Sequence, residues 1–188
     1  MLYQIVSLLL EVVAGLVSGA CLLRLYMQAL RVPMSVRSGN PLGRFVFALT
    51  DWTVLPLRRV LPALGALDSA SLVAAFLLQL AKFVLLWLLA GAGGGLLALP
   101  VLALFGLLSI AISGLTVMVI VYAVLSWVST PSVLSGVMAQ LVEPLLQPIR
   151  RVVPLVGGID LSPLVLLLVL QVAAIVLGNL QAMALQMG

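Results

Sequence analysis

Pro148-Ile149-Arg150-Arg151-Val152-Val153-Pro154-Leu155-Val156-Gly157-Gly158-Ile159-Asp160 runs directly into a long apolar stretch, and the chain carries the same figure earlier. There it reads Pro56-Leu57-Arg58-Arg59-Val60-Leu61-Pro62-Ala63-Leu64-Gly65-Ala66-Leu67-Asp68. Both prolines, both arginines, the valine, a glycine and the aspartate recur at a constant offset of 92 residues, from Arg58 to Arg150 and from Asp68 to Asp160. A unit repeated in register, each time ahead of an apolar run, predicts two copies of one structural module.

The surrounding sequence says where those modules sit. Of the 188 residues, 64% are hydrophobic and 7% are charged, against about 25% charged in soluble domains. A water-facing surface cannot be assembled from that inventory. No charged residue occurs between Lys82 and Glu143, a stretch far longer than the roughly 20 apolar residues that cross a bilayer. The class is a polytopic helical membrane protein.

Four apolar runs predict four spans. They cover about 2–27, 68–90, 103–128 and 161–187, by hydropathy and length. The third run, from Leu96 to Val128, would measure roughly 50 Å as a straight helix. That exceeds the bilayer core, so it must tilt, bend or start late, with Pro100 and Gly106 as the places for a bend. Gly91, Gly93, Gly94 and Gly95 make an uncharged hairpin between the second and third spans.

The other two connections each hold a short amphipathic helix. Asn40 is read as a cap with Pro41 in the first helical position, where its missing N–H costs nothing. Leu42, Phe45, Val46 and Leu49 then mark one face. The second copy has Ser132 as cap and Leu134, Val137, Met138 and Leu141 on the face, with Ser135, Gln140 and Glu143 on polar positions. Helices at about 41–53 and 132–146 are too short and polar to span and suit an interfacial or re-entrant placement. The first module is expected over residues 1–95 and the second over 96–188.

Prolines fix φ and withhold a donor, so Pro56 with Pro62, and Pro148 with Pro154, are expected to hold each arginine pair on a stiff, non-helical or singly turned segment. Asp68 and Asp160 then stand where a carboxylate can cap the next span. Asp51 and Glu143 are equivalent positions and offset the nearby arginines.

All eight arginines lie in or beside the two long connections, and the glycine hairpin and both termini carry none. Positive charge near span ends marks the cytoplasmic side, which leaves both termini outside. With two spans per module, the modules share one orientation. The N-terminal segment has no basic start, and Arg24 follows its apolar run, so it reads as a retained span despite Ser18-Gly19-Ala20-Cys21.

Gln147-Pro148-Ile149-Arg150-Arg151, then Pro154 and Gly157-Gly158-Ile159-Asp160-Leu161-Ser162-Pro163, resembles the signature of the YggT family, also called YlmG. The resemblance covers nearly the whole chain. The first copy departs after its aspartate, reading Asp68-Ser69-Ala70-Ser71 without the proline, and has Ala66 for the second glycine. It implies a two-span unit present twice in an integral inner-membrane protein without an established enzymatic activity. The resemblance further implies links to osmotic tolerance and cation handling in bacterial members, and to cytochrome complex assembly in plastid ones.

Several residues carry chemistry. Arg58, Arg59, Arg150 and Arg151 are candidates for binding lipid or a partner, since a basic residue near an anionic membrane contributes about 1 kcal/mol. The competing reading is a topology anchor. Glu11 and Lys82 lie at similar depths, roughly 13 and 12 Å from the outer ends at the helical rise. An unpaired charge there is costly, so an ion pair between the first two spans is expected. Gln79 and Gln171 match at the offset of 92 and are expected near the module axis as interhelical hydrogen-bonders. Gly15 and Gly19 form a small-residue pair on the first span.

No catalytic residue, metal ligand set or cofactor is expected: histidine is absent, and Cys21 is alone. The leading expectation is a non-enzymatic organising or assembly protein of the inner membrane, with an osmotic-stress role implied by the resemblance. The alternative is a small oligomeric cation channel or transporter using Glu11, Lys82, Gln79 and Gln171. The partners expected are the bilayer, anionic lipid headgroups, and a membrane protein or a second copy. Direct binding of nucleic acid is not expected.

Overall fold

The computed structural model describes residues 2–35, 39–61, 68–93, 95–128, 132–153 and 160–186. These form helices, with no strand among the described residues. Four are long: α1 (Leu2–Ala29), α3 (Ser69–Leu89), α4 (Ala98–Val128) and α6 (Ser162–Gln186), and each is apolar enough to cross a membrane. Two are short: α2 (Pro41–Arg58) and α5 (Val133–Arg150), both 18 residues long.

Each boundary has a local cause. Asn40 accepts from the Leu42 amide at 3.0 Å and donates to the Pro33 carbonyl at 3.0 Å, with Pro41 opening α2. Ser132 and Ser135 exchange side-chain and backbone hydrogen bonds, each 3.1 Å, in a reciprocal box at the start of α5. Arg31 takes a left-handed φ of 54°, and the Val32 amide returns to the Met27 carbonyl at 2.9 Å, ending α1. Gly91 and Gly95, at φ of 94° and 75°, turn the hairpin between α3 and α4.

Three expectations need correction. First, α4 is helical from Ala98, earlier than the start near residue 103 that the length of the run suggested. Pro100 falls in the first turn, where its missing donor would have had no intrahelical partner. Gly106 is a contact point: a Cβ there would lie 3.0 Å from Gln79 Oε1 and 3.1 Å from the Phe83 ring.

Second, the arginine pairs are not held on non-helical segments. Pro56 and Pro148 lie inside α2 and α5, which run on to Arg58 and Arg150. Each proline gives up its own donor and crowds the carbonyl four residues back, yet the amides beyond it still bond: Leu61 N–H reaches the Leu57 carbonyl and Val153 N–H the Ile149 carbonyl, both 2.8 Å, and α5 also runs through Pro144. Pro62, Pro154, Gly65 and Gly157 lie outside the described residues.

Third, the buried stripe of α2 is rotated. Gly43, Val46, Thr50 and Val54 face the bundle, whereas Phe45 is turned outward with Trp52 and Leu55. Two contacts set this rotation. Gly43 admits the Met34 backbone so closely that a Cβ would sit 2.7 Å from its carbonyl oxygen, and Thr50 meets Arg24. On α5 the buried residues are Val137, Met138, Leu141, Val142 and Leu146.

Helix α1 packs against α2, α3 and α4, while α6 packs against α4 and α5, and α3 meets α4. Both short helices seat at the end of the bundle where α1 and α4 finish and α3 and α6 begin. Met27 and Val32 pack there with Val137, Met138 and Leu141 of α5. Tyr26 donates its hydroxyl to the Leu141 carbonyl at 2.8 Å, tying the N-terminal span to the second short helix.

Candidate functional site

The charged side chains of the long connections gather into two clusters, one for each short helix. In the first, Arg24 points inward from α1 and is buried. Its Nη1 donates to Thr50 Oγ1 and Asp51 Oδ1, both at 2.7 Å. Its Nε lies 3.7 Å from Asp68 Oδ2, and its guanidinium covers the Phe47 ring at 4.8 Å. Arg58, from the last turn of α2, grips Asp68 with Nε at 3.3 Å and Nη2 on the second oxygen. Ser71 donates to the same carboxylate at 2.7 Å. Gln28, its amide turned to fit, donates to Asp68 at 3.2 Å and accepts from Arg58 at 3.0 Å.

The second cluster uses one arginine where the first uses two. Arg150 Nη1 lies 2.8 and 2.7 Å from the two oxygens of Glu143, and its Nε donates to Asp160 at 2.9 Å. Its Nη2 donates to the Tyr122 hydroxyl on α4 at 3.0 Å. The position equivalent to Arg24 is Thr116, whose hydroxyl donates back to the Ile112 carbonyl at 2.9 Å and meets neither carboxylate. Arg150 therefore spans both carboxylates alone.

The electrostatics follow from those contacts. Burial pushes the Asp68 carboxyl up, but hydrogen bonds from Arg58 and Ser71 outweigh it and leave it below the ordinary carboxylate value. Asp160 is likewise held low: desolvation opposes ionisation, and the Ser162 and Arg150 hydrogen bonds win. Burial works against the Arg150 charge, yet Glu143, Tyr122 and Asp160 hold it protonated well above its usual range.

Of the two expected caps, Asp160 accepts from the Ser162 amide at 2.9 Å and caps α6. Asp68 occupies the corresponding position but makes no side-chain capping bond to α3. Its oxygens are taken by Arg58 and the Ser71 hydroxyl instead.

The intramembrane polar residues are rearranged from expectation. Glu11 and Lys82 form no direct ion pair. Lys82 is buried with its ammonium 4.3 Å from the Phe83 ring centroid, while Glu11 faces outward from α1 and acts on it only through space. Gln79 is fully buried and donates to Ser18 Oγ at 3.1 Å, joining α3 to α1, with its Oε1 unpartnered. Gln171 does not join it near an axis: it is exposed on α6.

Sequence reasoning missed Arg24 as a site residue. The available signal was its place within the apolar run, with Asp51 and Asp68 needing a cation. Arg59 and Arg151, one residue beyond the clustered arginines, are exposed and make no ion pair among the described residues. Beside them Val60 and Val152 are 78% and 81% exposed.

A family model described as CCB3/YggT matches residues 3–89 and 101–181. The chain belongs to this family. It is 39% identical over 170 residues to "Uncharacterized protein YggT" of Escherichia coli K12, covering 88% of this chain and 85% of that protein. It is 38% identical over 178 residues to a Vibrio alginolyticus protein named "Uncharacterized protein in proC 3'region", covering 93% and 94%. An uncharacterized Pseudomonas aeruginosa protein is 34% identical over 180 residues, covering 93% and 89%. No solved structure matches the chain.

Proposed function

We propose that this YggT-family chain is a non-enzymatic protein of the bacterial inner membrane that organises other membrane components. In this reading it is built from two like-oriented modules, with the arginine-bearing helix ends in the cytoplasm and both termini outside. Support for two modules comes from the 92-residue offset, from α2 and α5 occupying equivalent positions, and from a family match in two segments. Support for sidedness comes from the eight arginines of the long connections.

One observation carries the functional reading. Arg24, Arg58 and Arg150 are taken up by Asp51, Asp68, Glu143 and Asp160, whereas Arg59 and Arg151 remain exposed beside Val60 and Val152. A cation next to an apolar tip, presented twice at one end of the bundle, suits a headgroup layer of anionic phospholipid. The outward Phe45, Trp52 and Leu55 of α2 would lie against that layer. An assembly role, or one under osmotic stress, would follow from gathering such lipids around the bundle.

Native mass spectrometry of the purified protein with phosphatidylglycerol or phosphatidylcholine tests this. The wild type should retain phosphatidylglycerol preferentially, and Arg59→Gln with Arg151→Gln should reduce that preference about thirtyfold. Equal retention of both lipids by the wild type would remove the reading. The buried Gln79 and Lys82 favour a second reading, a small oligomeric cation channel. Cation flux in liposomes that is abolished by Glu11→Gln would make it the better one.

A further inference from the structure

Glu11 sits in the middle of an apolar span, on a face that no helix of its own chain covers. Its neighbours Leu8 and Val12 are exposed, and the notch at Gly15, one turn further in, has nothing within 4 Å of a Cβ. A carboxylate facing hydrocarbon is costly unless it finds a partner. Lys82 does not supply one, because its ammonium is turned inward onto Phe83.

The chain carries a complementary face of its own. Beyond Leu170 the described part of α6 buries no residue, and Gln171 and Asn179 stand exposed there. Their amides are the donors that a carboxylate lacks. Depths from the shared outer end of the bundle agree at the helical rise: Glu11 lies about 13 Å in and Asn179 about 10 Å, Gly15 about 19 Å and Gln171 about 22 Å. The acceptor thus meets one amide, and the notch meets the other.

We propose that α1 of one copy docks against α6 of the next, with Asn179 of the neighbouring copy donating to Glu11 and Gln171 entering the Gly15 notch. The two faces differ, so the contact is head-to-tail and forms a ring where the rotation closes. Interhelical hydrogen bonds and close approach over glycine are what hold helices together in lipid, where apolar faces alone give no preference.

Disulfide trapping in native membranes tests the contact. Two differently tagged copies are co-expressed, both with Cys21→Ser, one carrying Leu8→Cys and the other Ala182→Cys. A mixed-tag disulfide dimer is expected, and its yield should fall about three- to fifteen-fold with Glu11→Leu while surviving Glu11→Gln, which keeps an acceptor oxygen. A folding defect in the leucine variant would be visible as lost monomer, and Asn179→Leu then gives the same reading from the other face. Absence of the mixed dimer, dimers only between Leu8→Cys copies, or a yield indifferent to both leucine substitutions would overturn the proposal.

Discussion

Arg150 and Glu143 lie two turns apart on the same face of α5, and Arg150 Nη1 touches both carboxylate oxygens at 2.8 and 2.7 Å. The same guanidinium holds Asp160, which stands just ahead of α6. A single cation therefore fixes the short helix to the following span. In the cluster around α2 that task is divided between Arg24 and Arg58.

This asymmetry predicts unequal effects at the two ends of one ion pair. Arg150→Met leaves Glu143 without its cation and Asp160 with the Ser162 amide alone, and should cost about 1–2 kcal/mol. Glu143→Gln leaves Arg150 paired with Asp160 and, being half-exposed, should cost about 0.5–1 kcal/mol. Thermal midpoints in detergent compare them. Equal losses would mean that Arg150 is not a shared hub.

Acid should weaken the fold from a known direction. The folded values of Asp68 and Asp160 lie below the ordinary 3.8. Such groups contribute stability that is complete above the unfolded value and lost as pH falls through the folded one. The thermal midpoint should hence stay level from neutrality to about pH 5 and drop below about pH 4. Asp68→Asn combined with Asp160→Asn should lower the plateau and flatten the drop, and an unchanged profile in that variant would contradict the assignment.

Legibility stopped where rotation about a helix axis began to matter. Span positions followed from hydropathy, and Asn40 and Ser132 were readable because a cap depends on neighbours in sequence. Depth could be counted along α1 and α3, so Glu11 and Lys82 were placed at one level. Their azimuths could not, and one faces out while the other faces in. The same limit hid the inward turn of Arg24, the outward Gln171, and the rotated stripe of α2. Proline was misread for another reason: it removes one donor toward the preceding turn without stopping the amides that follow, so α2 and α5 run through Pro56, Pro144 and Pro148.

Gly106 offers a packing test with an internal control. Gly106→Ala should push Gln79 and Phe83 off α4, costing about 1–3 kcal/mol. Gly114→Ala on the same helix meets nothing within 4 Å and should be neutral or slightly stabilising, because alanine favours helix. Thermal midpoints again report both, and a neutral Gly106→Ala would show that α3 can draw back freely.

The outward faces of the two short helices should differ in environment. Phe45, Trp52 and Leu55 of α2 are exposed apolar groups, whereas α5 exposes Gln140 and Gln147. A nitroxide attached at Trp52→Cys should collide with oxygen dissolved in lipid, and one at Gln140→Cys with a water-soluble relaxant. Matching accessibilities at the two sites would refute an interfacial α2.

The central claim is that both modules point the same way and bring their arginine-bearing ends to one side of the membrane. Single cysteines at positions 59, 93 and 151, in a chain carrying Cys21→Ser, can be labelled with an impermeant thiol reagent in intact and opened cells. Positions 59 and 151 should react only after opening, and position 93 in intact cells as well. Reaction of 59 and 151 on opposite sides of the bilayer would contradict the account.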